Sequence, residues 1–304
     1  MAARLILNAD DFGLTRGINR AVAELYAAGA LTSATLMANG PAFNDAVAIA
    51  KANPGLGVGC HIVLTDGTPV SPPQAVPTLL GKDGQNFRSS LIDFIRDLWL
   101  GRIDPAEIEI EALAQVQKLQ RAGIDLTHLD THKHTHVFPP VARELHRIVR
   151  YTSVATMRNP FEPHFARQVS HATISRRAQI FALDRFQSRF IKIADKEVFT
   201  DGTIGISATG NLNVKVLRDT LAALPESGTF ELLCHPGYND ADLDIVTTRL
   251  RQHRQIEYNA LMSEIPKLLS QPNGPELIHY GNLGAFGCLR EDGLFYPDSG
   301  YEKH

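Results

Sequence analysis

Short apolar runs alternate with amphipathic stretches from the start of the chain. Residues 5–8 form an apolar run that predicts a buried strand, and residues 16–28 have the spacing of an amphipathic helix that ends at Gly29. Further strands are predicted at 32–37, 56–61, 125–129, 154–158, 230–234 and 277–279. Further helices are predicted at 41–52, 105–122, 139–150, 214–224 and 246–269. This alternation is typical of a parallel sheet. We therefore expect an α/β fold: a single (β/α) barrel of seven or eight parallel strands, distorted or incompletely closed.

Two stretches break the alternation and predict insertions near 65–100 and 159–200 within one domain over residues 1–304. Residues 65–80 are rich in proline and glycine, which predicts a loop that overhangs one end of the barrel. Residues 164–192 form a basic, amphipathic, helical segment. We favour an ordinary helical insertion or subunit interface for this segment. The alternative is a surface for a lipid-linked substrate.

The composition favours a globular enzyme over several other classes of protein. With 44% hydrophobic and 21% charged residues among 304, the chain can bury a full core and shows no sign of disorder. A net charge of −3 gives no basic field for a phosphate backbone, so nucleic acid is not an expected partner. The sequence lacks a secretory signal and an apolar run long enough to span a membrane, so we expect a cytoplasmic protein. Three widely spaced cysteines, Cys60, Cys234 and Cys288, fit a reducing compartment.

Two adjacent carboxylates, Asp10 and Asp11, follow the first predicted strand. Like charges this close repel unless a cation, hydrogen bonds or solvent compensate them, and a divalent metal is the simplest compensation. In a straight strand the two side chains point to opposite faces. Both reach one site only if the backbone turns, which Phe12 and Gly13 permit. A lone aspartate could equally cap the next helix, but a pair at a strand end favours the functional interpretation.

Four of the 12 histidines lie within nine residues, at His128, His132, His134 and His136, together with Asp130. Neutral imidazole is a favoured ligand for zinc and similar ions, and a nearby carboxylate can fix its tautomer. Not all four can be ligands. We expect an ordinary structural role for His128, while for His134 and His136 both interpretations stay open.

Two further histidines, His61 and His235, end predicted strands, and each follows a cysteine. Cys60 or Cys234 could therefore be the ligand or nucleophile instead. Strand alternation argues against this, because a histidine that points to the barrel mouth places its neighbour in the helix layer. In barrels of this kind the chemistry collects at the carboxyl ends of the strands, where all of these polar clusters are predicted to lie.

Together the motifs resemble those of the YdjC-like carbohydrate deacetylases, which include chitooligosaccharide deacetylases and hopanoid-associated deacetylases. The motifs are Asn-Ala-Asp-Asp-Phe-Gly at 8–13, Gly-x-His-x-x-Leu around His61, His-Leu-Asp-Thr-His-x-His-x-His at 128–136 and Cys-His-Pro-Gly at 234–237. The resemblance spans most of the chain, in order. It implies one divalent metal held by an aspartate and two histidines, which by position are Asp11, His61 and His132.

The wider polysaccharide deacetylases imply roles for the remaining polar residues. By similarity, Asp10 would be the general base and His235 the general acid. Arg158 could orient Asp10, although a surface position would be equally ordinary for this arginine. The last three candidates, Asp130, His134 and His136, would contact the substrate or support the ligands.

The expected reaction is removal of an N-acetyl group from an amino sugar, such as a chitooligosaccharide or an N-acetylglucosamine conjugate, by metal-activated water. Zinc is the expected metal, and the ligands also accommodate cobalt, nickel or manganese. Magnesium fits them less well, because it prefers oxygen ligands. The alternatives are deacetylation of a lipid-linked acetylglucosamine, a phosphoesterase or amidohydrolase with a two-metal centre, and a catalytically silent sugar-binding barrel. The sequence does not decide whether the chain forms a homo-oligomer.

Overall fold

The computed structural model describes residues 3–152, 154, 156–194, 200–272 and 274–283. Its strands are β1 (Arg4–Phe12), β2 (Ser33–Leu36), β3 (Gly57–Ile62), β4 (Leu126–Thr131), β5 (Gly202–Ile204), β6 (Thr229–Cys234) and β7 (Glu276–Ile278). Its α-helices are α1 (Arg16–Ala27), α2 (Phe43–Ala52), α3 (Leu91–Trp99), α4 (Pro105–Arg121), α5 (Pro139–Tyr151), α6 (His164–Val169), α7 (Ile174–Asp184), α8 (Gln187–Ile193), α9 (Val214–Ala222) and α10 (Gln252–Leu269).

The strands form one parallel sheet in the order β4-β3-β2-β1-β6-β5. β7 pairs with the first residues of β1, from Arg4 to Ile6, and β2 pairs with β1 from Asn8 onward. Helices connect most of the strands, as parallel pairing requires. The prediction of an α/β fold with a parallel, barrel-like sheet is therefore confirmed.

The two edge strands of the sheet, β4 and β5, are bridged by residues 156–161. On one side, Leu129 N–H donates to the Thr156 carbonyl and Arg158 N–H donates to the Leu129 carbonyl, both at 2.9 Å. On the other side, Thr203 N–H donates to the Phe161 carbonyl at 3.1 Å. The sheet thus curls into a barrel that this irregular segment closes only in part.

The prediction of a regular strand over 154–158 is wrong for the described part of that stretch. Thr156 and Met157 occupy only bridge positions there, and Met157 pairs with Leu129. Pro160 follows shortly afterwards and has no N–H to donate, so the ladder cannot continue along this segment.

The predicted helix over 246–269 begins later than expected, at Gln252. Thr247 and Thr248 are weak helix formers, and the Leu250 carbonyl accepts a hydrogen bond from the Arg254 side chain. Two elements, α3 and β5, were not predicted. β5 has only three residues, too few to show a period.

Side chains along β1 alternate between the two faces of the sheet, which positions the site. Leu5, Leu7 and Ala9 belong to the large apolar cluster between sheet and helices, which also holds the buried Cys60 and Cys234. Ile6 packs in a second cluster with Ile278, Tyr280 and Leu283. Asn8 and Asp10 follow Ile6 on that second face, so polar groups lie above an apolar floor. The third cysteine, Cys288, lies outside the described residues.

The two predicted insertions contain secondary structure of their own. The stretch 65–100 holds two short 3-10 helices and α3, and the described part of 159–200 holds α6, α7 and α8. Among the described helices, none combines the length and apolar character needed to cross a membrane.

Candidate active site

The end of β1 is distorted so that two consecutive carboxylates reach the same end of the barrel. The register between β1 and β2 shifts between Ala9 and Phe12, and Asp11 has a φ of 63°. Aspartate is one of the few residues that adopts this left-handed conformation readily. The turn expected at Phe12 and Gly13 therefore begins at Asp11 itself. It breaks the strand alternation that would otherwise separate Asp10 from Asp11.

Asp11, His61 and His132 form a compact group of metal-ligand type. Asp11 Oδ1 lies 3.6 Å from His61 Nε2 and 3.3 Å from His132 Nδ1. This oxygen is buried and has no hydrogen-bond partner among the described residues. Two ligand atoms about 2.1 Å from one ion at a tetrahedral angle lie about 3.4 Å apart, so both distances fit a shared ion. The donor set of one carboxylate and two imidazoles suits a divalent transition metal.

A second group, Asp10, His61 and Asp130, also meets the spacing for a metal site. Here Asp130 Oδ1 lies 2.7 Å from His61 Nδ1, which orients the ring and leaves Nε2 facing Asp11. Asp10 and Asp130 are both bound by the guanidinium of Arg158. Arg158 thus supplies the positive charge that this second group requires, so the first group is the better candidate for a metal site.

The electrostatics of the first group favour a positive charge at His61. Burial would lower the pKa of His61, but the negative charges of Asp130 and Asp10, with the nearby Asp11 carboxylate, raise it to about 10. For Asp11, burial would raise the pKa, but Arg254 and the two histidines hold it well below its ordinary value. A bound cation would satisfy the same negative charges that otherwise retain a proton on His61.

Arg158 lies fully buried at the centre of the polar layer. Its Nη2 is 2.7 Å from Asp10 Oδ1 and its Nη1 is 3.0 Å from Asp10 Oδ2. The same guanidinium contacts Glu231, at 2.5 Å from Oε1, and Asp130. Burial would raise the pKa of Asp10, but the charge of Arg158 outweighs it and holds the pKa well below the ordinary value. Asp10 is therefore an ionised carboxylate with a fixed orientation.

His235 follows β6 and faces Asp10 across the mouth, with 4.0 Å between His235 Nε2 and Asp10 Oδ2. Glu257 supports it from α10: Glu257 Oε2 accepts the His235 backbone N–H at 2.6 Å and lies 3.9 Å from His235 Nδ1. Burial lowers the pKa of His235 to about 4 and raises the pKa of Glu257 to about 7. The imidazole is therefore neutral near pH 7 in the protein alone.

Arg254 holds the other oxygen of Asp11. Its Nη2 donates to Asp11 Oδ2 at 2.6 Å, and the arginine is only 1% exposed. The two neighbouring aspartates are thus held by two arginines from distant parts of the chain, Asp10 by Arg158 and Asp11 by Arg254.

The remaining histidines of the cluster lie outside both metal-type groups of the described residues. His128 stacks on Tyr280 with ring centroids 3.7 Å apart, a structural position as expected. His136 is buried with its Nδ1 2.6 Å from Thr131 Oγ1. His134 is half-buried in a left-handed conformation with φ 53°, and its Nδ1 has no partner. The structure therefore places His132 beside Asp11, whereas His134 and His136 lie outside the metal-type groups.

The insertion that starts at residue 65 reaches the edge of the site through Asp66. Asp66 Oδ2 is 3.9 Å from His132 Nε2 and accepts a hydrogen bond from Lys133. The far nitrogen of the His132 ring therefore faces a carboxylate, which favours a proton on that nitrogen and leaves the lone pair of Nδ1 for a metal ion.

Sequence reasoning did not identify Glu231, Arg254, Glu257 or Asp66. A signal was present for Glu231, because a charged residue inside a short apolar strand must have a buried partner. Arg254 and Glu257 lie on a helix with many charged residues, and nothing in the sequence separates them from solvent-exposed ones.

Comparisons with known proteins agree with the motifs. The model of the YdjC-like protein family matches residues 4–270. A carbohydrate deacetylase of Brevibacillus brevis is 45% identical over 138 residues, which are 45% of this chain and 52% of that protein. The chain thus spans about half the length of this relative in the match. Carbohydrate deacetylases of Listeria welshimeri and Thermoanaerobacter pseudethanolicus match more fully. The Listeria welshimeri protein is 35% identical to this chain, and the match covers 79% of this chain and 84% of that protein. The Thermoanaerobacter pseudethanolicus protein is 28% identical, and the match covers 92% of this chain and 98% of that protein.

Solved structures support the fold. The crystal structure of a candidate cellobiose-phosphate cleavage protein from Enterococcus faecalis has a TM-score of 0.71 and 22% identity, and the match covers 93% of this chain and 99% of that one. An uncharacterized protein from Agrobacterium tumefaciens has a TM-score of 0.51 and 12% identity over 93% of this chain and 89% of its own. Since the family model covers most of the sequence and all four motifs, the chain belongs to the YdjC-like protein family.

Proposed function

We propose that this protein is a metal-dependent hydrolase that removes the N-acetyl group from an N-acetylated amino sugar. The observation that carries the proposal is the arrangement around Asp11: a metal-type group, a fixed carboxylate at Asp10 and an imidazole at His235 meet at one end of the barrel. The relatives named carbohydrate deacetylase support the sugar amide as substrate.

Asp11, His61 and His132 would hold the metal. A divalent ion with these three ligands would polarise the amide carbonyl and lower the pKa of water at its open positions. The mixed nitrogen and oxygen donors favour zinc, cobalt, nickel or manganese over magnesium. Asp130 and Asp66 would keep the two imidazoles in the orientation that ligation needs.

Asp10 would act as the general base. Both of its oxygens accept hydrogen bonds from Arg158, and Oδ1 accepts two more, from Asn8 and Thr35. These donors keep the carboxylate ionised and fix its direction towards the position of an attacking water.

His235 would deliver a proton to the departing amine. Because its pKa is about 4 in the protein alone, the resting ring is neutral near pH 7. The proton that Asp10 removes from water must therefore reach His235 Nε2, 4.0 Å away, before the carbon–nitrogen bond breaks. The carbonyl carbon leaves as acetate, and the amine leaves with the transferred proton.

A test is acetate release from N,N′-diacetylchitobiose by protein stripped with a chelator and reloaded with zinc, cobalt, nickel or manganese. We expect activity to disappear on stripping and to return with at least one metal. Inactive protein under every metal, with this substrate and with a lipid-linked acetylglucosamine, would overturn the proposal. Activity only on the lipid-linked substrate would keep the deacetylase and change its substrate.

A further inference from the structure

Arg158 and Arg254 contact their partners, Asp10 and Asp11, in different ways. Arg158 contacts both oxygens of Asp10, at 2.7 and 3.0 Å. Arg254 contacts only Oδ2 of Asp11, at 2.6 Å, and Oδ1 is left without a hydrogen bond, 3.3 and 3.6 Å from the two imidazole nitrogens. Arg254 thus occupies Oδ2 of Asp11, and Oδ1 is available to bind an ion.

Arg254 is itself fixed within the barrel wall. It lies in the first turn of α10, where its Nε donates to the Leu250 carbonyl at 2.9 Å. Its Nη2 also lies 3.3 Å from Thr248 Oγ1. A buried guanidinium with these contacts has little freedom to move away from Asp11. Separating the two would leave the charges of Arg254 and Asp11 buried without a partner.

The glycine of the Cys-His-Pro-Gly motif makes room for this arginine. Gly237 N–H donates to the Arg254 carbonyl at 3.2 Å. A Cβ atom added at Gly237 would lie 3.2 Å from Arg254 Cδ and 2.9 Å from Ile18 Cγ1, tighter than ordinary packing. The motif that carries His235 is therefore also shaped around the stem of Arg254.

We propose that Arg254 is a positioning residue that holds Asp11 as a one-oxygen metal ligand. The proposal rests on the metal-dependent function proposed above. By occupying Oδ2, the guanidinium prevents the carboxylate from binding an ion through both oxygens or turning away from His61 and His132. It thereby limits the protein to three donor atoms and keeps positions open for water and substrate.

The test compares Arg254→Met and Arg254→Lys with Arg251→Met as a matched control. Arg251 precedes the same helix, but its side chain is 41% exposed and pairs with Asp244 on the surface. Each full-length variant is titrated with zinc against a chromophoric chelator. The visible absorption spectrum of the cobalt-loaded protein then reports the number and geometry of its ligands. Thermal unfolding of the metal-free variants separates a change at Asp11 from a general loss of structure.

We expect Arg254→Met to lose about 10- to 100-fold in zinc affinity, a typical effect of removing a partner of a metal ligand, and to change the cobalt spectrum. The zinc affinity of Arg254→Lys should fall between those of Arg254→Met and the wild type. An ammonium group can reach one oxygen of Asp11 but lacks the planar set of N–H donors of a guanidinium. Arg251→Met should match the wild type in both measurements. Wild-type affinity and an unchanged spectrum in Arg254→Met would overturn the proposal. If Arg254→Met does not fold, the same result in Arg254→Lys would do so.

The result also separates this inference from the proposed function. A wild type that binds none of the metals would refute the metal-dependent function itself. A wild type that binds metal, with an Arg254→Met variant indistinguishable from it, would refute only the role of Arg254.

Discussion

Asp10 and Asp11 show how two identical neighbouring side chains acquire different chemistry. Asp10 is saturated with donors, from Arg158, Asn8 and Thr35. Asp11 keeps one buried oxygen without a donor. Fixed donors keep a carboxylate ionised and hold its direction, whereas a buried oxygen without a donor is free to accept a cation. The division of labour therefore follows from the surroundings of each residue.

Asp10→Asn should separate catalysis from metal binding. The variant loses the base but none of the three proposed ligands, so we expect stoichiometric metal and a turnover about 10²–10⁴-fold lower. Acetate release and metal content by elemental analysis measure the two properties independently. Asp11→Asn serves as the contrast and should lose the metal. The opposite pattern, with metal lost from the Asp10 variant and kept in the Asp11 variant, would reverse the assignment.

At the scale of elements, α4 does more than cover the sheet. One buried stripe of this helix, at positions 107, 111 and 115, bonds the backbone of the insertion that follows β3. Gln115 pairs with both backbone groups of Val63, and Glu111 accepts the N–H groups of Val70 and Ser71 at 2.8 and 2.9 Å. Glu107 accepts Thr78 N–H at 2.7 Å. Because these residues are four positions apart, their side chains lie on one face of the helix, the face that contacts the loop.

Glu111→Ala should loosen this loop. Two backbone amides would lose their acceptor, which costs about 1–3 kcal/mol of stability. Because the same loop carries Asp66 to the edge of the site, we expect KM to rise more than kcat falls. Urea unfolding and steady-state kinetics measure the two effects. Glu109→Ala, from the other face of α4, is the control and should change little. A Glu111→Ala variant as stable as that control would show that the loop does not depend on the helix.

Asp97 in α3 should make stability depend on acid pH. Arg96, Arg88 and Arg102 all contact it, at 3.1, 3.0 and 3.2 Å, and together they lower its pKa from 3.8 to about 2, despite the opposing effect of burial. A pKa that is lower in the folded state stabilises the fold above about pH 4, and this stabilisation is lost as the pH falls towards 2.

Asp97→Asn should therefore cost about 1–2 kcal/mol near pH 6, with the difference from the wild type shrinking between pH 4 and pH 2. Urea unfolding at several pH values gives the two curves. Asp93→Asn, a half-exposed partner of Arg96, should show a smaller difference at every pH. A gap between Asp97→Asn and the wild type that stays constant down to pH 2 would contradict the argument.

Residues with local signals were predictable, whereas most residues that act across the barrel were not. β1, β3 and β6 are buried, largely apolar runs, and the polar residues that end them gave the site its first members. Arg254, 243 positions from Asp11, gives no such signal, and Arg158, 148 positions from Asp10, is a candidate only beside the family resemblance. Long charged side chains are common on surfaces, so only the folded chain shows which of them are buried.

At the scale of the whole molecule, Arg158 links three strands of the barrel through their side chains. It extends from the irregular segment between β4 and β5, and binds Asp10 on β1, Asp130 on β4 and Glu231 on β6. Tyr280, after β7, donates to the same Glu231. The incomplete closure of the sheet is thus compensated inside by one cation shared among strands.

Arg158→Met should destabilise the entire fold, because it leaves Asp10, Asp130 and Glu231 buried together without their cation. Removing one partner of a buried ion pair costs about 3–5 kcal/mol, and three uncompensated carboxylates place this site at the upper end of that range. The free energy of unfolding in urea measures the loss. Arg177→Met, which removes an exposed arginine on α7, should stay within about 0.5 kcal/mol of the wild type. A second substitution, Glu231→Gln, should recover part of the loss, since it removes one of the stranded charges. A double variant less stable than Arg158→Met would show that Glu231 stabilises the barrel through Tyr280 and Thr203 rather than through the arginine.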